Sequence, residues 1–183
     1  METPLIRITD KIYAKLETYQ KTGSVKDRMV SYIVKLAYES NEIMPGYTEL
    51  IEATSGNTGI ALASEAASLS CPCTIIMPNN MSVQRKTMMK AFGAKIIEVG
   101  PNDFKGALNL RDEMIIEKKK SNNLAVWCPY QFENKLNIEC HFKITAPEIY
   151  NQSKKMNLNW SIFVHGAGTG GTMMGIKKYI DKN

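Results

Sequence analysis

The sequence predicts an α/β protein built on parallel sheet with helices on both faces. Two observations carry this. Strand-like apolar runs alternate with helix-like stretches along most of the chain, and glycine-bearing turns sit where a strand hands over to a helix.

Taken in order, Leu5-Ile6-Arg7-Ile8 and Ile12-Tyr13-Ala14-Lys15-Leu16 read as two short strands. Ser24 is an N-cap with Asp27 three residues on, a variant of the capping box. The helix that follows sets Met29, Ile33, Leu36 and Ala37 on one face. Residues 48–53, 73–77, 94–99 and 124–128 are strands rich in Ile, Val and other apolar residues. Helices run over roughly 58–69, 82–92 and 104–120, the middle one closed by Gly93. Ile138 to Tyr150 reads as a helix kinked or stopped near Pro147. A fifth βα unit starts with a strand at Trp160-Ser161-Ile162-Phe163-Val164, turns through glycines and enters a helix at Thr172. With the sequence stopping at Asp181-Lys182-Asn183, an open sheet edge is expected, covered by a partner or by more chain.

Composition narrows the class. At 183 residues the chain makes one ordinary domain or two small ones, and 44% apolar with 22% charged residues is the usual globular balance. No apolar run approaches the ~20 residues that cross a bilayer. Met1-Glu2-Thr3-Pro4 lacks the basic-then-apolar pattern of a secretory signal, so a cytoplasmic protein without membrane contact is expected. The net charge of +5 is spread out, and Lys118-Lys119-Lys120 ends a helix, where cations complement the dipole; no nucleic-acid partner is expected. Cys71-Pro72-Cys73 has the wrong spacing for a zinc knuckle, and Cys128 and Cys140 add no second pair. Reduced thiols and no metal follow.

Three segments carry chemistry. Thr54-Ser55-Gly56-Asn57-Thr58-Gly59 joins a strand to a helix, where backbone N–H groups and the positive end of the dipole receive an anion. It has no Lys and not the G-x-G-x-x-G spacing, so a carboxylate is the better ligand. Gly166-Ala167-Gly168-Thr169-Gly170-Gly171-Thr172 also follows a strand and opens a helix. Formally it contains G-x-G-x-x-G, but a dinucleotide site wants an acidic residue ~20 positions on, so one compact phosphate suits it better. The third segment holds Lys26 at a helix start, an unfavourable place for a cation, which argues for a purpose other than helix stability. Buried lysines lose their proton readily and form Schiff bases. A phosphate turn, a carboxylate turn and an amine are the parts a pyridoxal phosphate enzyme needs.

In this order and spacing, Gly23-Ser24-Val25-Lys26-Asp27-Arg28, the Thr54–Gly59 loop and Gly168-Thr169-Gly170-Gly171-Thr172 resemble the cysteine synthase (O-acetylserine sulfhydrylase) family. That family lies within the pyridoxal phosphate enzymes that include cystathionine β-synthase. Thr3-Pro4-Leu5, Gln131-Phe132-Glu133-Asn134 and Pro147-Glu148-Ile149 extend the resemblance over essentially the whole chain.

The resemblance implies a two-domain fold-type II architecture. Residues 24–140 form the small domain with a four-stranded parallel sheet; 1–23 and 141–183 form part of a truncated larger, cofactor-binding domain. It implies pyridoxal 5′-phosphate held by Lys26 as a Schiff base, with Asn57 bonding the phenolic oxygen and Gly168, Thr169, Gly170, Gly171 and Thr172 binding the phosphate. Thr54, Ser55, Gly56, Asn57, Thr58 and Gln131 would form the substrate site and receive the amino-acid carboxylate. The implied reaction is β-replacement of O-acetylserine by sulfide in a homodimer, with Lys26 also the α-proton base. Alternatives implied alongside are a cystathionine β-synthase-like or β-eliminating enzyme, or a truncated chain with little activity that acts through a partner. The chain departs from the family at Gln20-Lys21 and Lys135, where Asn-Pro and Pro are usual. It also lacks the late Ser or Thr that faces the pyridine nitrogen.

Overall fold

The computed structural model describes residues 2–121 and 125–182. The chain divides into two compact units, residues 33–130 and residues 1–32 with 131–183.

The unit of residues 33–130 is built on β3 (Thr48–Ala53), β4 (Cys73–Pro78), β5 (Lys95–Val99) and β6 (Ala125–Trp127). All pair in parallel, in the order β5-β4-β3-β6. Residue Leu124 of the expected last strand lies outside the described residues. Connecting them are α2 (Asn57–Ser68), α3 (Val83–Ala91) and α4 (Phe104–Ser121). The two central strands are buried at every position. β4 reads as an apolar run, whereas β3 buries two carboxylates among its apolar residues, Glu49 accepting from Thr74 Oγ1 at 2.6 Å and Glu52 paired with Arg111 at 3.3 Å. Successive residues of β4 show both faces covered. Ile76 packs with Ala107 and Ile115 of α4, while a Cβ on Gly59 of α2 would lie 3.2 Å from Ile75 Cγ2. Gly93 closes α3 at φ +84°, as expected from its place in the sequence. At the end of α4 the basic run complements the helix dipole, and Lys118 also pairs with Glu49 at 2.7 Å.

The other unit begins with β1 (Leu5–Arg7) and β2 (Tyr13–Lys15), an antiparallel pair in which Ile6 faces Ala14. A 3₁₀ turn (Glu17–Tyr19) leads to α1 (Lys26–Glu39), whose residues to Tyr32 belong to this unit. The capping box forms. Ser24 Oγ accepts from the Lys26 N–H at 3.2 Å, and Asp27 Oδ2 accepts in return from the Ser24 N–H at 3.2 Å. Next come α5 (Leu136–Cys140), a π turn (His141–Thr145), α6 (Ala146–Lys155) and α7 (Gly171–Lys182).

Two expectations are corrected in this unit. Of the two outcomes expected near Pro147, the stop does not occur. The helix runs on to Lys155, because the π turn just upstream loosens the ladder where proline offers no N–H. Residues 160–164 form no strand. Trp160 and Phe163 pack on Ala146, Ile149 and Ile176, while Ile162 and Val164 stand 78% and 85% exposed. The pattern of a strand is present, but no strand of this unit lies beside it among the described residues, and a ladder needs a neighbour. The four cysteines are free thiols, and all are buried.

Candidate active site

The site residues fall into two sets, one in each unit. In the first, Lys26 opens α1 and the glycine turn opens α7. Lys26 lines a small recess with His165, Gly166, Gly168 and the run Thr169 to Met173. Burial pushes the Lys26 amine below the ordinary lysine range, so it sheds its proton more readily than a surface lysine. The turn is shaped by Gly170 at φ +79°, a conformation that side chains resist. Gly171, the first residue of α7, is glycine for a different reason: a Cβ there would fall 2.0 Å from Asn137 Oδ1.

Behind the turn stands a polar stripe at four-residue spacing, Asn137, His141 and Thr145. Asn137 Nδ2 donates to the Gln131 carbonyl at 3.0 Å and to Thr169 Oγ1 at 2.9 Å. Gln131 is thereby tied to the glycine turn through its backbone. The His141 ring is 2% exposed, with Nδ1 2.9 Å from Thr145 Oγ1 and Nε2 3.3 Å from Thr172 Oγ1. Burial first, then the charges of Lys26 and Arg28, bring its pKa down to about 4, so the ring is neutral at pH 7. Sequence reasoning passed over Asn137 and His141. The signal that could have found them is that stripe of polar residues on one helical face.

Arg28, two residues after Lys26, anchors the start of α1. Its guanidinium grips Glu17 at 2.6 and 2.8 Å and Glu148 at 2.7 and 2.8 Å, and donates to Thr3 Oγ1 at 2.9 Å. The Lys15 ammonium also donates to Glu148. A buried network of this kind holds the first turn of α1, and so the base of Lys26, against the β1–β2 hairpin and α6. A second cavity of this unit, about 570 Å³, is lined mainly by apolar groups such as Leu5, Ile12, Ile149, Trp160 and Phe163.

The second set lies in the unit of residues 33–130. Thr54 and Ser55 follow β3, Gly56 stands at the N-cap of α2, and Asn57 and Thr58 form its first turn. Gly56 brings no side chain to cap the helix, and its N–H donates to Thr54 Oγ1 at 3.3 Å. The Arg85 guanidinium lies over this loop: Nη1 donates to the Ser55 carbonyl at 3.3 Å, and a Cβ on Gly56 would meet the group at 3.2 Å. Helix dipole and Arg85 both make the loop electropositive, suited to a carboxylate. Gly59 serves packing instead, since a Cβ there would press on Met89 and Thr54 at 2.8 Å.

A family model described as pyridoxal-phosphate dependent enzyme matches residues 1–183. A cysteine synthase of Buchnera aphidicola subsp. Schizaphis graminum is 40% identical over 97% of this chain and 54% of its own length. Among solved structures, a hydrogen sulfide-producing enzyme from Fusobacterium nucleatum is 45% identical with a TM-score of 0.79, over 93% of this chain and 50% of its own. An O-acetylserine dependent cystathionine beta-synthase from Helicobacter pylori is 32% identical with a TM-score of 0.85, over 100% of this chain and 60% of its own. The chain thus spans about half the length of the relatives it matches.

Proposed function

The chain belongs to the pyridoxal-phosphate dependent enzyme family, and from that premise we propose that it carries the lysine-bearing part of a β-replacing enzyme that makes L-cysteine from O-acetylserine and sulfide. One observation carries the reading: an amine with a burial-lowered pKa, Lys26, lines the same recess as a glycine turn that opens a helix.

The residues present fit the cofactor. A Cβ built on Gly166 or Gly168 meets nothing within 4 Å, so the turn is open in front, and two threonine hydroxyls flank it. When bound, pyridoxal phosphate would supply an electron sink that acidifies the substrate α-carbon. The protein's own work is the rest. Gly168, Thr169, Gly170, Gly171 and Thr172 would hold the phosphate with backbone N–H groups, hydroxyls and the α7 dipole. Lys26 would attach the aldehyde and take the α-proton at Nζ, a task suited to an amine that is easily neutral. Thr54, Ser55, Gly56, Asn57 and Thr58, with Gln131, would bind the substrate carboxylate, and Asn57 would also hydrogen-bond the cofactor's ring oxygen. Closing that loop would exclude water from the reacting carbon. In this reading residues 24–140 correspond to the smaller domain, and 1–23 with 141–183 to part of the larger. A cytoplasmic homodimer is the accompanying assembly, testable by light scattering.

A second reading is favoured by the 45% identity to a hydrogen sulfide-producing enzyme: elimination from cysteine rather than synthesis of it. The test begins with pyridoxal 5′-phosphate, borohydride reduction and peptide mass mapping, with Lys26→Ala as control. A modified Lys26 peptide supports the site; modification spread evenly over surface lysines rejects it. Cysteine formed from O-acetylserine and sulfide supports the first reaction, and sulfide released from cysteine alone supports the second.

A further inference from the structure

We infer that Asn137 and His141 form a donor platform behind the glycine turn: they fill the acceptor positions of Thr169 and Thr172 and so leave both O–H hydrogens to donate to an anion held there. This rests on the reading of Gly168 to Thr172 as a phosphate cradle and adds what orients it.

The two side chains are one helical turn apart and meet two glycines one turn apart on α7. A Cβ on Gly171 would strike Asn137 Oδ1 at 2.0 Å, and one on Gly175 would strike His141 Cβ at 2.5 Å. The absence of side chains at those positions lets two buried polar groups reach the turn from behind. Asn137 and His141 are only 5% and 2% exposed.

The orientation of the Asn137 amide follows from its partners. The Gln131 carbonyl can only accept, so the group 3.0 Å from it is the NH₂, and the same NH₂ donates to Thr169 Oγ1 at 2.9 Å. The Gly171 N–H reaches that oxygen as well, at 3.4 Å. With its acceptor positions taken, the Thr169 hydroxyl can engage a further group only by donating.

His141 presents a choice that Asn137 does not. Its two nitrogens face hydroxyls, Thr145 at Nδ1 and Thr172 at Nε2, and a neutral ring carries a single N–H. With the proton on Nδ1, the Thr172 hydrogen would point at the ring and its lone pairs at the anion, which repels. With the proton on Nε2, the chain runs Thr145 O–H to Nδ1, Nε2–H to Thr172 Oγ1, and Thr172 O–H to the anion. Every member then both satisfies and is satisfied. The neutral ring therefore carries its proton on Nε2.

The experiment uses the full chain labelled with ¹⁵N-histidine and saturated with pyridoxal 5′-phosphate. Two-bond ¹H–¹⁵N correlations, with His141 and His165 told apart in His141→Gln, should show the proton on Nε2; a proton on Nδ1 overturns the inference. Affinities for pyridoxal 5′-phosphate and for pyridoxal, which lacks the phosphate, supply the second readout. Asn137→Ala and His141→Ala should each weaken the phosphate form about tenfold and leave pyridoxal unchanged. His141→Gln, whose amide can reach the Nε2 position, should recover part of that loss. Equal losses for both compounds, or none, would mean that the pair only packs the helices, and the inference fails. A wild-type chain with no preference for the phosphate form would instead overturn the cradle reading, and the inference with it.

Discussion

Arg28 and Glu148, 120 residues apart in the chain, meet in a doubled hydrogen bond, Nη1 to Oε2 at 2.8 Å and Nη2 to Oε1 at 2.7 Å. The side chains are 3% and 11% exposed. Burial alone would raise the Glu148 carboxyl, but hydrogen bonds from Arg28 and Lys15 outweigh it and bring the pKa down to about 2. A depressed carboxyl contributes stability that is fully present above its unfolded value of 4.5 and is lost as pH falls toward 2. That linkage is worth roughly 3 kcal/mol. Thermal melts from pH 7 to pH 2 should therefore show an acid limb below pH 4.5, and Glu148→Gln should flatten it. The variant should also melt lower at pH 7, by about 2–4 kcal/mol, since Arg28 loses one of its two carboxylates. An unchanged acid limb in Glu148→Gln would refute the assignment.

The glycines of the turn should not be equivalent. Gly171→Ala drives a methyl into Asn137 Oδ1 at 2.0 Å, whereas a Cβ on Gly166 meets nothing within 4 Å. Overpacking of that kind costs about 1–3 kcal/mol. Chemical denaturation should find Gly171→Ala destabilised by that amount and Gly166→Ala within about 0.5 kcal/mol of the parent. Equal effects would show that the α5–α7 contact can open by more than a methyl group.

Much of this architecture was legible in the chain. The βα rhythm could be read because short apolar stretches such as Ile75-Ile76-Met77 of β4 are buried on both sides and alternate with helical ones, although nothing in the sequence shows that Glu49 and Glu52 of β3 are buried as well. The capping box at Ser24 and Asp27 could be read because both partners lie within four residues. Long-range pairings could not. Thr3, Glu17, Arg28 and Glu148 each resemble ordinary surface polar residues until the fold brings them together. Nor does an isolated Asn or His announce that it faces a glycine turn. The segment 160–164 failed in the other direction: its apolar residues read as a strand, but strand formation depends on a neighbour that a local pattern does not contain.

Lys26 should stand apart from the other lysines in reactivity. Acylation needs the neutral amine, and burial lowers the pKa of this one. Competitive labelling with acetic anhydride at pH 8, read by peptide mass mapping, should modify Lys26 faster relative to its exposure than Lys35, whose side chain is 69% exposed and paired with Glu39 at 3.2 Å. The excess should vanish after unfolding in urea. A Lys26 rate indistinguishable from that of exposed lysines would remove the argument for an activated amine.

Ile162 and Val164 set the last expectation. They are 78% and 85% exposed on a segment whose other side, Trp160 and Phe163, is packed on α6 and α7. Two β-branched side chains beside backbone groups outside any ladder make a surface that seeks pairing with another chain. Self-association should therefore rise with concentration, seen as a mass increase in light scattering and a concentration-dependent melting midpoint. Ile162→Lys with Val164→Lys should suppress both, because charges on an extended edge oppose strand addition. The substitution should leave the melting midpoint at low concentration nearly unchanged, since neither side chain is packed. A parent chain that stays monomeric and melts at the same temperature over a hundredfold concentration range would show that this edge is not sticky.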